Sequence, residues 1–197
     1  MKEVERLRSL GAKRVTLKTG AYPMRELAMA IKWSSEAEID LLTIDGAPGG
    51  TGMSPWRMMN EWGIPSVEIW SLTYRYADRL AKKGEYVPSI AFAGGITMED
   101  HIFKALALGA PYVKAVGMAR APLTAAMVSK NVGQRIMEGN LPIYYARYGN
   151  TVEAIFVEAG KLKNKLGEKF KDLPTGAIGL YTYNQRLVQG LKQLMCG

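Results

Sequence analysis

The chain has 197 residues, of which 48% are hydrophobic and 22% are charged, and its formal net charge at pH 7 is +8. These proportions are typical of a globular protein with a sizeable core and exclude wholesale disorder. No apolar run reaches the roughly 18–20 residues that a membrane-spanning helix requires, and the charged N-terminus lacks the apolar core of a secretory signal. The one cysteine, Cys196, excludes an internal disulfide framework and a metal site of several cysteines. We therefore expect a cytoplasmic protein.

Much of the positive charge gathers in a lysine-rich stretch between Lys161 and Lys171. Basic proteins often bind phosphates or acidic surfaces. This stretch, however, lacks aromatic residues at the spacing of a base-stacking platform, and the chain contains no recognisable nucleic-acid motif. We interpret it as a solvated helix face, and we expect neither nucleic acid nor a membrane as a partner.

Hydrophobic periodicity and turn residues predict alternating helices and strands as far as residue 139. Each of four predicted strands is followed by a helix, and glycine stands at the end of every strand. This order implies parallel strands with helical crossovers, and ligands of such sheets lie beyond the carboxyl ends of the strands. The predicted strands are 14–20, 39–44, 89–95 and 112–118. The predicted helices are 1–10, 24–33, 56–62, 72–83 and 123–137. A further helix is predicted to follow a capping box at 97–100 and to stop at Gly109.

The stretch 43–55, between the second strand and its helix, is the most distinctive segment. It contains four glycines, Gly46, Gly49, Gly50 and Gly52, before a Ser-Pro pair that suits a helix start. Without Cβ atoms, such a loop lets a ligand lie against its amide groups. A loop that contacts a phosphate or cofactor is one interpretation, and a plain strand-to-helix turn is the other.

The character of the chain changes at Asn140. Tyrosines precede an apolar helical run, and apolar residues recur at helical spacing between Ala177 and Met195. We expect these segments to be helices that pack on the outside of the sheet. The predicted organisation is therefore an α/β region, 1–139, followed by a helical extension, 140–197.

Several segments together resemble the FMN-binding domain of the glutamate synthase family. The Asp-Gly-x-x-Gly-Gly-Thr-Gly run that begins at Asp45 is similar to the family's flavin loop. The resemblance covers roughly residues 12–128, and the segment 177–195 is similar to archaeal and bacterial short forms. The other similar segments are Val15-Thr-Leu-Lys18, Ala93-Gly94-Gly95-Ile96, Ala107-Leu108-Gly109-Ala110 and Val116-Gly117-Met118-Ala119-Arg120-Ala121-Pro122-Leu123.

The resemblance implies a TIM-barrel-like (β/α)₈ fold, of which this sequence contains only the last four strands. Because about eight strands are needed to close such a barrel, four would leave an open edge and an open face. We therefore expect an obligate assembly, in which two copies pair or a partner supplies the first barrel half. A truncated gene product, and coverage of the open side by the helices after residue 140, are the remaining alternatives.

The resemblance also implies reductive amination of 2-oxoglutarate by reduced FMN. Lys18 would stabilise the anionic reduced flavin, or it would be an ordinary surface lysine. Asp45 would orient a substrate or a ribityl hydroxyl, or it would hold the loop as an Asx-turn. The predicted catalytic residues are thus Lys18 and Asp45, and the predicted FMN contacts are Lys18, Gly49, Gly50, Thr51, Gly94, Gly95, Gly117 and Met118.

The sequence departs from the family pattern after Ala-Pro-Leu, where members usually carry the three cysteines of a 3Fe-4S cluster. Residues 127–137 contain no cysteine, and thiolates are required ligands of such a cluster. We therefore expect no 3Fe-4S cluster and no other metal site. The sequence also contains nothing that resembles the family's amidotransferase part, so we expect nitrogen to arrive as free ammonia or from a partner. Two rivals stay open, namely a non-catalytic module that binds a flavin or phosphate ligand and a different phosphate-binding TIM-barrel enzyme.

Overall fold

The structure, a computed structural model, describes residues 1–47, 49 and 55–196. It falls into two compact units, Met1–Met118 and Ala119–Gly197. The helix Arg120–Met137 lies in the second unit, where it packs on the helix Thr175–Cys196, whereas we expected it to group with the sheet. The predicted division into an α/β region, 1–139, and a helical extension, 140–197, stays a prediction.

The first unit confirms the alternation of strands and helices predicted from the sequence. Its four strands form one sheet in the order β1-β2-β3-β4, and all neighbouring strands are parallel. In chain order the elements are α1 (Lys2–Ser9), β1 (Thr16–Thr19), α2 (Met24–Glu36), β2 (Leu41–Asp45), α3 (Trp56–Asn60), α4 (Ser66–Lys82), β3 (Ser89–Ala93), α5 (Glu99–Gly109) and β4 (Val113–Gly117).

The strand order shows that the sheet is wound in one direction. Consecutive strands are neighbours, so the sheet has no point at which the order reverses. Since crossovers between parallel strands are right-handed, a monotonic order places all crossover helices on the same face of the sheet. A doubly wound sheet would instead have helices on both faces. The topology is therefore compatible with part of a TIM-barrel-like fold.

The core of this unit lies between the sheet and its helices. Leu42, Ile44, Ile90 and Phe92 are fully buried and alternate along β2 and β3, so they share the helix-facing side. The Trp70 ring of α4 stacks on Phe92, with 5.1 Å between ring centroids and 8° between ring planes. Aromatic pairs of this kind stabilise a fold by about 0.5–1.5 kcal/mol beyond the area that they bury.

The other side of the sheet mixes polar with apolar residues and is exposed only in part, since Ala91 and Ala93 on this side are buried. The register aligns Thr16 with Leu41 and Lys18 with Thr43, and both β1 residues are exposed. Ser89 on β3 is exposed as well. Parallel sheets ordinarily have both faces covered, so this side is unusual for a protein that acts alone.

Two local predictions were wrong. Helix α4 begins at Ser66, six residues before the predicted start, because Pro65 stands just ahead of the first turn and the early residues Ile69 and Trp70 are buried in the core. The capping box before α5 does not form, since the cap residue is Met98 and makes no side-chain bond. Instead, the Thr97 amide donates to Nδ1 of His101 at 3.2 Å, and Asp100 accepts from Lys104 at 2.8 Å.

The second unit is helical, as predicted. Gly133 of its first helix has no room for a Cβ, which would overlap the side chain of Thr175, so the two longest helices of the unit approach closely. The other helices cover a core of Val132, Phe156, Leu162 and neighbouring apolar residues. The elements are α6 (Arg120–Met137), α7 (Ile143–Ala146), α8 (Val152–Ile155), α9 (Ala159–Leu166), a 3₁₀ turn (Gly167–Asp172) and α10 (Thr175–Cys196).

The lysine-rich stretch occupies α9 and the 3₁₀ turn. Its lysines make local ion pairs, among them Lys163 with Glu153 at 2.8 Å and Lys171 with Glu168 at 2.6 Å. These lysine side chains are more than half exposed, which fits the interpretation as a solvated face. Among the helices that the structure describes, none is long and apolar enough to cross a membrane.

Candidate functional site

The candidate site lies at the carboxyl edge of the sheet. Lys18, Asp45 and Ala93 stand at or next to the ends of three neighbouring parallel strands. Ligand sites of parallel sheets form at this edge because the following loops converge there. The register further aligns Ala93 with Gly117, so the predicted phosphate contacts on β3 and β4 are neighbours too.

An ion pair between Lys18 and Asp45 is the central feature of this edge. Lys18 Nζ lies 2.8 Å from Asp45 Oδ2. The two partners differ in exposure, since the lysine side chain is 50% exposed and the aspartate side chain only 4%. A buried carboxylate is costly unless it is paired, so Asp45 holds the ammonium group in place while leaving much of it accessible. Both residues are among those predicted from the sequence, and the fold brings them together.

Gly49 packs directly against this pair. Its amide donates to the Gly46 carbonyl at 2.5 Å, which folds the start of the loop back toward the strand. A Cβ on Gly49 would overlap Oδ1 of Asp45. The structure thus shows that packing within the chain requires glycine at position 49, a reason that neither the ligand-binding loop nor the plain strand-to-helix turn predicted.

The glycine pair after β3 adopts left-handed backbone conformations, with φ of +107° at Gly94 and +78° at Gly95. Gly94 is buried, and a Cβ there would overlap the carbonyl oxygen of Gly46. Gly95 is exposed. Of this pair, only Gly95 is accessible to a ligand at the surface, whereas Gly94 packs against the Gly46 carbonyl.

The end of β4 supplies the last predicted contacts. Gly117 and Met118 are both partly buried. A Cβ on Gly117 would lie 3.1 Å from the Cβ of Ala93, which is tight but less severe than the overlaps at Gly49 and Gly94. The remaining predicted contacts, Gly50 and Thr51, lie outside the described residues.

Ser66 also lies at this edge, although the sequence did not predict it as a site residue. Its hydroxyl lies 2.7 Å from the Ala47 carbonyl and 2.8 Å from the Gly94 carbonyl. The Ala47 amide also donates to the Ile64 carbonyl at 3.0 Å. The Pro65-Ser66 pair is a local signal of a helix start, but it does not reveal the two carbonyls, which lie 19 and 28 residues away along the chain.

Within the part of the chain that the structure describes, no three His, Cys, Asp or Glu residues gather as a group that could hold a metal ion. The described polar groups of the edge include the Lys18 cation, the Asp45 carboxylate, the Ser66 hydroxyl and backbone groups of the glycine loops. Such a set suits an anionic or planar organic ligand better than a bare metal ion.

These features define a parallel α/β protein whose polar site lies at the carboxyl edge of a sheet wound in one direction. A family profile described as a conserved region in glutamate synthase matches residues 1–131. The chain therefore belongs to the glutamate synthase family. This membership indicates a glutamate-synthase-like role and an oxidoreductase. No match was found among curated proteins or among solved structures.

Proposed function

We propose that this chain forms the FMN-binding part of a glutamate-synthase-like oxidoreductase that reductively aminates 2-oxoglutarate. The observation that carries the proposal is the Lys18–Asp45 ion pair at the carboxyl edge of the sheet. When bound, FMN would supply the hydride that reduces the imine of 2-oxoglutarate and ammonia. The chain's own residues would bind the cofactor, orient it and stabilise its charge.

Lys18 suits the electron-rich edge of the flavin ring. A fixed cation beside that edge favours the anionic reduced cofactor. The side chain is half exposed, so it is available to a ligand, and Asp45 restricts the positions of its ammonium group. We assign Asp45 the task of positioning Lys18, because its carboxylate is almost fully buried.

The FMN phosphate would lie at the exits of β3 and β4. Gly95 is exposed there, and the register places Gly117 at the end of the neighbouring strand. Helix α5 carries Glu99 and Asp100 in its first turn, and these carboxylates repel an anion at that helix terminus. We therefore assign the phosphate to loop amides around Gly95, Gly117 and Met118 rather than to the start of α5.

The open side of the sheet supports an assembly. Lys18 lies on that side together with the exposed Thr16 and Ser89. We propose that a second copy, or a segment that supplies the first barrel half, covers this side and completes the site. We also propose a cytoplasmic location, since the reaction draws on free 2-oxoglutarate.

One observation favours a second function, namely binding of flavin without turnover. The only cysteine of the sequence is Cys196, so this chain cannot supply the thiolates of a 3Fe-4S cluster. Electrons would then have to reach the flavin by another route. Reoxidation of chemically reduced, protein-bound flavin by 2-oxoglutarate with ammonia separates the enzyme from the binding module, because only the enzyme would accelerate it.

The ion pair can be tested by replacing Lys18 with methionine and titrating the protein with FMN. Hydrogen bonds to charged groups contribute about 1.5–3 kcal/mol, so we expect Lys18→Met to weaken FMN binding by about ten- to a hundredfold. Lys82→Met is the matched control, since Lys82 pairs with Asp78 at 2.7 Å on α4, away from the carboxyl edge. Equal FMN affinities of the two variants would contradict the assignment of Lys18.

A further inference from the structure

Ser66, the first residue of α4, lies between the loops that follow β2 and β3. Its hydroxyl is within hydrogen-bond distance of the Ala47 carbonyl and of the Gly94 carbonyl, at 2.7 and 2.8 Å. Its backbone amide donates to the same Ala47 carbonyl at 3.3 Å. A single side chain therefore connects the start of one glycine loop with the start of the other.

The backbones around Ser66 are packed without room for side chains. A Cβ on Gly46 would lie 2.5 Å from the Cα of Ser66 and 2.6 Å from its Oγ. A Cβ on Gly94 would overlap the Gly46 carbonyl, and the Gly46 amide donates to the Ala93 carbonyl at 2.9 Å. We call these three residues, Gly46, Ser66 and Gly94, the loop junction.

The junction connects the two halves of the proposed cofactor site. On one side, Gly46 follows Asp45 and accepts the hydrogen bond from Gly49, which packs on the Asp45 carboxylate. On the other side, Gly94 precedes the exposed Gly95. A hydroxyl carries one proton, which it donates to either carbonyl in turn or to both in a bifurcated bond. Both carbonyls stay within reach of that proton only while the two loops stay close.

We propose that Ser66 is a positioning residue, which sets the spacing between the ring side and the phosphate side of the FMN site through the carbonyls of Ala47 and Gly94. This inference rests on the proposed function for its ligand. Ser66 need not touch the cofactor. Without the hydroxyl, the two loops would keep their sequences but lose the donor that they share, and the site would be less well organised before binding.

The test compares Ser66→Ala with Ser71→Ala, a serine on the same helix for which the structure gives no side-chain hydrogen bond. Hydrogen exchange of the ligand-free protein is measured for peptides that contain residues 46–47 and 94–97. We expect faster exchange in both segments for Ser66→Ala and unchanged exchange for Ser71→Ala. FMN titration of the same proteins should show affinity reduced about two- to tenfold for Ser66→Ala, the range of one neutral hydrogen bond.

Exchange that changes in neither segment, or in only one, would overturn the proposal, because the hydroxyl would then not connect the loops. It would also be overturned if wild-type protein and Ser66→Ala bound FMN equally tightly. If the wild-type chain bound no FMN, the proposed function would fail. The exchange measurement on ligand-free protein would then decide separately whether Ser66 spaces the two loops.

Discussion

At the scale of single residues, the unequal exposure of Lys18 and Asp45 gives the site its chemical character. The aspartate is buried and accepts from a lysine that stays half in solvent. Removing one partner of a buried pair costs more than the pair itself contributes, because the other charge is left uncompensated. Asp45 thus holds the Lys18 ammonium group in one position before a ligand binds. Lys18 in turn neutralises the charge of the buried Asp45 carboxylate while no ligand is bound.

Gly49→Ala should disturb this pair from the loop side. The added methyl group would overlap Oδ1 of Asp45, and overpacking of this kind typically costs about 1–3 kcal/mol. We expect the free energy of unfolding in urea to fall by that amount. Gly160→Ala is the control, since a Cβ at Gly160, which lies in α9, meets nothing within 4 Å and alanine favours a helix over glycine. An unchanged stability of Gly49→Ala would show that the loop does not pack on Asp45.

The sequence predicted Lys18 and Asp45 but not the reasons for the glycines around them. The glycines of the loop 43–55 predicted either room for a ligand or a plain strand-to-helix turn. In the structure, Gly49 and Gly94 leave room for Asp45 and for the Gly46 carbonyl. The contact between Gly94 and the Gly46 carbonyl joins residues 48 positions apart, so no local pattern reveals it. Gly49 lies only four positions after Asp45, but a glycine alone does not show that the loop turns back onto that side chain. Ser66 was missed because its acceptors lie 19 and 28 residues away along the chain.

At the scale of elements, strands were predicted better than helix starts. Each predicted strand matches an observed one, because buried apolar runs that end at glycine are a strong signal. The predicted starts of α4 and α5 were wrong, because the hydrogen bonds at a helix start depend on which nearby side chains compete for the same groups. At α5, the Thr97 amide donates to His101 Nδ1, and Lys104 donates to the Asp100 carboxylate. The Thr97 hydroxyl and the Asp100 carboxylate therefore do not form a capping box.

The ion pair of α4 makes a prediction about pH. The hydrogen bond from Lys82 holds the pKa of Asp78 below its usual range, although burial acts in the opposite direction. The folded-state pKa therefore lies below the unfolded value of about 4. The stability that this pair contributes is complete above pH 4 and is lost as the pH falls through the folded-state pKa.

We expect Lys82→Met to raise the pKa of Asp78, which NMR titration of the carboxyl carbon measures. The difference in unfolding free energy between the wild type and this variant should be largest near neutral pH and should vanish in acid. The Tyr112 hydroxyl also contacts Asp78, at 3.3 Å, so its substitution by phenylalanine should move the pKa in the same direction by less. A pKa of Asp78 that Lys82→Met leaves unchanged would contradict the role of the ion pair.

At the scale of the whole molecule, the direction of winding explains why a site is exposed at all. Four parallel strands in sequential order place their crossover helices on one face, and the other face carries Lys18 with exposed polar neighbours. The alternation of elements made the parallel sheet predictable. The expectation of an eight-stranded barrel came only from the resemblance to the family, because no local pattern shows how many strands a sheet contains.

The most direct test of the flavin assignment is the visible absorption of the chain after it is mixed with FMN and passed through gel filtration with light scattering. We predict that flavin absorbance elutes with the folded protein, and that the particle mass exceeds the 21.7 kDa of one chain. A folded protein that elutes without flavin would contradict the proposal that this edge of the sheet binds FMN.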